Sequence, residues 1–66
     1  DYKNAEAELR AAVRIDGKLA EARVVLAKTL LATGRKDEAV SQAKEALKTA
    51  RIPTTVAEAK AIIGKE

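Results

Sequence analysis

The chain lacks most of the residues on which enzymes depend. It contains no Cys and no His, and Ser41 is its only serine. Without His or Cys there is neither the commonest general base nor a thiol nucleophile, and Ser41 has only Gln42 beside it and no base nearby in sequence. The absence of Cys also excludes a disulfide and a thiolate metal site. We therefore predict that the chain is not an enzyme, binds no metal and uses no cofactor.

Long apolar runs are also missing. The longest is Val24-Val25-Leu26-Ala27, which is far too short for a transmembrane helix or a signal-peptide core. We expect no membrane insertion, and no residue pattern indicates a compartment. Because the chain has no Met, we expect it to be a fragment or a processed piece of a longer protein.

Large apolar side chains are scarce, although alanine is abundant. Tyr2 is the only aromatic residue, and Ala accounts for 15 of the 31 apolar residues. Alanine favours helix and allows close helix packing, but it buries little area. The composition therefore predicts an all-α fold with a small core, which either belongs to a larger stack or associates with copies of itself.

Charge is balanced and dispersed. The net charge is +3, from 13 basic and 10 acidic residues, and the two signs alternate along the chain, which is typical of a solvated helical surface. A DNA-reading helix-turn-helix is the least favoured interpretation. Its recognition helix would begin with Asp37 and Glu38, whose carboxylates repel phosphates. We expect no nucleic-acid partner.

The stretch from Thr33 to Ala39, TGRKDEA, separates two alanine-rich segments. It fails as a phosphate-binding loop, because that motif requires an earlier Gly and a Ser or Thr after its Lys. A corner between helices explains it better, with Gly34 as the left-handed residue after a helix and two acids in the next first turn. In this interpretation Arg35 and Lys36 face solvent.

The spacing of apolar residues and the positions of Gly and Pro predict four helices. The first three cover about residues 3–15, 19–33 and 36–50, and short corners make neighbouring helices antiparallel. Thr55-x-x-Glu58 is typical of a capping box that opens a last short helix ending near Ile63. The predicted inner faces, in chain order, are Ala5, Leu9, Ala12 and Val13; Leu19, Ala22, Leu26, Ala27 and Leu30; Ala39, Ala43, Ala46 and Leu47; Val56, Ala59 and Ile63.

A shift of 34 residues aligns the first predicted helix with the third, placing Ala5 on Ala39 and Ala12 on Ala46. The period is that of a helix-turn-helix solenoid. With Leu26-Ala27, the corner Gly34 and Leu47, the chain resembles the tetratricopeptide repeat family, although it departs from the family pattern at Arg23, Leu30, Ala43 and the late Pro53. The resemblance implies an α-solenoid divided into a partial repeat (1–19), a full repeat (20–53) and a terminal or capping helix (54–66).

The resemblance also implies a non-catalytic scaffold that binds a protein or peptide. In such stacks the first helix of each repeat lines the binding groove, which is the second helix here. If its inner face is as predicted, Val24, Lys28 and Leu31 form a second stripe with Glu21 above it, suited to a peptide with apolar anchors and an acidic group. Alternatively, a neighbouring repeat or the last helix covers Val24 and Leu31. The alternative function is a structural segment that forms homo-oligomers through its open helical ends.

Overall fold

The computed structural model describes residues 1–64, which form four α-helices and no strand. The helices are α1 (Tyr2–Ile15), α2 (Ala20–Ala32), α3 (Lys36–Thr49) and α4 (Pro53–Ile63). The predicted all-α, four-helix fold is confirmed. None of the helices in these residues has the length and apolar character needed to cross a bilayer. Lys65 and Glu66, which belong to the last predicted unit, lie outside the described residues.

The corner between α2 and α3 has the predicted glycine geometry. Gly34 has a φ of +81° and is the only residue with positive φ within residues 1–64. The Arg35 amide donates to the Leu30 carbonyl at 2.8 Å, and the Gly34 amide donates to the Leu31 carbonyl at 3.1 Å. These two bonds form a Schellman motif, which satisfies the carbonyls that a helix end leaves unpaired.

The start of α4 differs from the prediction. Pro53 is the first helical residue, and Ile52 precedes it without a side-chain cap. Proline fixes φ near the helical value and has no amide hydrogen to satisfy, so the helix begins at Pro53. Thr55 is consequently inside the helix and buried, and Glu58 contacts α2 instead of the helix start. The predicted capping box is therefore wrong.

Helix α2 is at the centre of the fold, packed against α1, α3 and α4. Its buried residues lie around much of its circumference, whereas α1 at the edge has no buried residue. Large side chains in the core come from α2, α3 and α4, and small ones let the helices approach closely. The buried apolar residues are Ala20, Ala22, Val24, Leu26, Ala27, Leu30, Ala39, Val40, Ala43, Ala46, Ala59 and Ile62.

Most predicted inner faces are correct. Leu9 and Val13 of α1 and Leu47 of α3 are partly buried against the core, as their spacing predicts. Leu19 is an exception, because it precedes α2 and remains 41% exposed. On α4, Ala59 is fully buried and Ile63 is partly buried against the core, as predicted. The other buried residues of α4 are Thr55 and Ile62, so the centre of the inner face lies one position before the predicted line.

The exposed face of α2 and the ion pairs around it

Four exposed residues lie in one line along α2. They are Glu21, Val25, Lys28 and Ala32, and their spacing of 4, 3 and 4 residues places them on a single face of a helix. Since α3 and the flanking helices cover the rest of α2, this line, the α2 stripe, is the surface that the central helix presents to solvent. Val25 is its largest apolar member and is 46% exposed.

The structure brings only half of the predicted binding residues to this surface. Glu21 and Lys28 are exposed on the α2 stripe, whereas Val24 is 1% exposed and belongs to the core. Leu31 is partly buried against the same core. The interpretation in which Val24 is exposed is therefore wrong, and the alternative, in which Val24 is covered, is correct. Leu31 presents only part of its surface.

The error has a physical cause in the composition of α2. Apolar residues occur in runs along this helix, so no polar face marks which side is exposed. Two lines pass through Glu21 and Lys28, one through Val24 and Leu31 and the other through Val25 and Ala32. The line with the larger side chains turns inward because it buries more apolar area. In the sequence, the larger side chains on the line of Val24 and Leu31 indicate that this line is the buried one.

The cation of the α2 stripe is paired within the chain. The Lys28 ammonium forms a hydrogen-bonded ion pair with the Glu58 carboxylate of α4. The two side chains are 50% and 46% exposed, so solvent screens the pair and it contributes little to stability. Glu58 therefore occupies the position beside Lys28 that the sequence predicts for an acidic group of a ligand.

A second polar cluster joins α1 to the corner after α2. Arg35 Nη1 donates to Glu6 Oε2 at 3.0 Å and Arg35 Nη2 donates to Glu6 Oε1, which makes the contact bidentate. Arg10 Nε also donates to Glu6 Oε2 at 2.9 Å, and Arg10 Nη2 donates to Glu38 Oε2 at 2.9 Å. Lys36 is exposed as predicted, and the Arg35 side chain is 40% exposed. The sequence did not predict that the Arg35 guanidinium also joins the corner to α1.

Two cations hold Glu6 in its ionised form. Hydrogen bonds from Arg35 first, and then from Arg10, lower the pKa of Glu6 from 4.5 to about 2. The same contacts raise the pKa values of Arg10 and Arg35. A carboxylate with so low a pKa is a weak base, so this cluster is suited to joining helices and poorly suited to proton transfer.

The cluster borders a cavity of about 520 Å³, whose lining includes Lys3, Ala7 and Thr33 beside Glu6, Arg10 and Arg35. Glu6 already engages both arginines within this lining. Neither here nor elsewhere in residues 1–64 do three carboxylate, His or Cys groups come close enough together to hold a metal ion.

Comparison with known proteins agrees with this geometry. Residues 1–63 match the family described as tetratricopeptide repeat. No curated protein and no solved structure matches the chain. Helices α1 and α3 begin 34 residues apart, at Tyr2 and Lys36, and α2 and α3 form a helix pair around the glycine corner. The chain belongs to the tetratricopeptide repeat family.

Proposed function

We propose that this chain is a non-catalytic scaffold that binds a protein or peptide segment on the α2 stripe. The observation that carries the proposal is the exposure of Val25 on the central helix, between Glu21 and Lys28 and in line with the exposed Ala32. An exposed apolar side chain on a rigid helix offers an apolar side chain of a partner a fixed surface to pack against, and the charged groups beside it select the partner's polar groups.

The charges of the stripe indicate the chemistry of the partner. Lys28 is paired with Glu58, whereas Glu21 has no ion pair within residues 1–64. The net character of the surface is therefore apolar at its centre and acidic at the start of α2. We expect a bound segment to place an aliphatic side chain against Val25 and a basic group beside Glu21.

Peptide selection tests this proposal without knowledge of the natural partner. Random peptides displayed on phage are selected on the immobilised chain, and the affinities of the selected peptides are measured by titration calorimetry. Val25→Glu should weaken binding by about tenfold or more, because it places an unpaired charge against the aliphatic side chain of the peptide.

Ser41→Glu is the matched control, since Ser41 is exposed on α3, away from the stripe, and should leave the affinity unchanged. Peptides that bind the wild type and the Val25→Glu variant equally would contradict the proposal. Failure to select any peptide would also count against it.

Self-association through the open ends is the alternative function. It is favoured by one observation: α1 has no buried residue, and its Tyr2 side chain is 58% exposed. Sedimentation velocity over a range of concentrations tests it. A mass that rises with concentration in both the wild type and Val25→Glu, and falls in Tyr2→Ser, would support self-association; a monomer throughout would exclude it.

A further inference from the structure

The loops between α1 and α2 and between α3 and α4 lie at the same end of the bundle, because consecutive helices run antiparallel. The two loops meet at a shallow cavity of about 320 Å³. Lys18 comes from the first loop, and Lys48 and Arg51 come from the end of α3 and the second loop. Three cations from separate segments therefore converge at this end.

The same end of the bundle carries three of the five exposed large apolar residues of the described chain, one at the end of α1 and two in the loops. Ile15 is 87% exposed, Ile52 is 48% exposed and Leu19 is 41% exposed. In the sequence, Leu19 follows Lys18, Ile52 follows Arg51, and Ile15 precedes Lys18 by three residues. We call the set the loop edge; its residues are Ile15, Lys18, Leu19, Lys48, Arg51 and Ile52.

Little of the positive charge at the loop edge is neutralised. Lys48 Nζ lies 2.8 Å from Glu45 Oε2, and this contact lowers the pKa of Glu45. Within residues 1–64, neither Lys18 nor Arg51 forms a side-chain ion pair. Asp16 is nearby, where its Oδ1 accepts the Lys18 backbone amide at 3.1 Å, but no carboxylate lines the cavity.

We propose that the loop edge binds an acidic, aliphatic peptide segment of a protein partner. A carboxylate of the segment would enter the cavity between Lys18 and Arg51, and its aliphatic side chains would cover Ile15 and Ile52. The exposed aliphatic residues account for affinity, and the unpaired cations select acidic sequences. This surface is separate from the α2 stripe, which carries Glu21 at its start and favours a basic group.

A peptide fits the loop edge better than an anionic membrane does. The cations surround a concave cavity, which suits a single acidic group, whereas a bilayer presents a flat array of headgroups. The loop edge also contains no Trp or Tyr, the residues enriched at membrane interfaces. Its three cations include one that is already paired with Glu45, whereas basic segments that bind anionic lipids carry larger clusters.

The test measures fluorescence anisotropy of a dye-labelled synthetic peptide in which Glu alternates with Leu. Two control peptides replace Glu by Lys or Leu by Ser. The Glu and Leu peptide should bind, and neither control should. Amide chemical shifts should change at residues 15–19 and 48–52, and absence of binding by the Glu and Leu peptide would overturn the proposal.

Matched variants then locate the surface. Lys18→Glu with Arg51→Glu should weaken binding by about tenfold or more, as should Ile15→Ser with Ile52→Ser. Lys36→Glu, at the opposite end of the bundle, should leave binding unchanged. Circular dichroism of each variant distinguishes lost contacts from lost folding.

Two further measurements distinguish the loop edge from the α2 stripe and from a membrane-binding site. Val25→Glu should leave the Glu and Leu peptide bound; loss of binding in that variant would place the peptide on the α2 stripe and overturn the proposal. Vesicles of phosphatidylserine and phosphatidylcholine should not compete with the peptide. Binding to those vesicles without binding to the peptide would identify a membrane site and also overturn it.

Discussion

Arg35 and Glu6 are 29 residues apart in sequence and form a bidentate ion pair that joins the α2–α3 corner to α1. Helix α1 has no buried residue, so polar contacts of this kind contribute to holding it against the rest of the fold. The two arginines around Glu6 keep it ionised well below the ordinary range of a glutamate.

The stability of the chain should depend on pH through Glu6. Its folded pKa of about 2 is below its ordinary value of 4.5, so the folded state binds the proton less readily than the unfolded state does. The stabilisation is therefore present above about pH 4.5 and is lost as the pH falls toward 2. Thermal unfolding followed by circular dichroism should show Glu6→Gln melting below the wild type at neutral pH, with the difference shrinking as the pH falls through this window.

Glu8→Gln is the matched control, because Glu8 is exposed on α1 and forms no ion pair within residues 1–64. It should melt with the wild type throughout the range. A gap between the wild type and Glu6→Gln that persists unchanged at pH 2 would show that the loss has another origin.

Gly34→Ala should destabilise the fold. The cost arises from the backbone alone, because a Cβ at Gly34 would meet no atom within 4 Å. An L-residue at a φ of +81° costs about 1–2 kcal/mol relative to glycine. Urea denaturation should therefore show a loss of about 1 kcal/mol in the free energy of unfolding.

Gly17→Ala is the control for that measurement. Gly17 does not have a positive φ, and an added Cβ would lie at ordinary contact distance, 3.5 Å from Arg23 Nη2. Its substitution should be neutral or stabilise the fold by a few tenths of a kcal/mol. Equal losses at Gly34 and Gly17 would mean that the corner geometry is not the cause.

Val24→Ala and Val25→Ala should differ in cost despite the identical chemical change. Val24 is 1% exposed and Val25 is 46% exposed. Truncation of the buried residue removes apolar contacts and should cost about 1–3 kcal/mol, whereas truncation of the exposed one should change stability by roughly 0.5 kcal/mol or less. Urea midpoints of the two variants provide the measurement, and the reverse order would show that α2 is rotated from its described position.

The ion pair between Lys28 and Glu58 should couple α2 to α4 weakly. Both side chains are about half exposed, so a double-mutant cycle with Lys28→Ala and Glu58→Ala should give a coupling free energy of about 0.2–1 kcal/mol. The coupling should decrease in 1 M salt, because salt screens exposed charges. A coupling that is insensitive to salt would indicate packing between the two side chains instead of charge.

The sequence predicted the helices well because their limits depend on local interactions. The glycine at position 34 defines the corner, and the 34-residue spacing of alanines defines the repeat. Three of the four helix starts were predicted within one residue. The exception is α4, where the Thr55 and Glu58 pattern competed with Pro53, and the fixed φ of proline determined the outcome.

The candidate site could be predicted only in part. The sequence correctly predicts that Glu21 and Lys28 are on the exposed side of α2. It does not identify the exposed valine, which is Val25 and not Val24. A helix packed against three others carries apolar residues on several sides, so its periodicity does not identify the exposed side. The ion pair of Lys28 could not be predicted from the sequence either. Its partner Glu58 lies 30 residues away, on a helix that contacts α2 only in the folded chain.

Local chemistry therefore determined the class of the fold, the number of helices, the corner and the repeat. These features follow from backbone propensity, from glycine and proline geometry, and from periodic small residues, all of which operate within a few turns of chain. The packing of the helices determined which valine is exposed, brought Arg35 into contact with Glu6, and placed Lys18 and Arg51 around one cavity. Such contacts depend on the positions of whole helices in three dimensions, which no stretch of the sequence specifies alone.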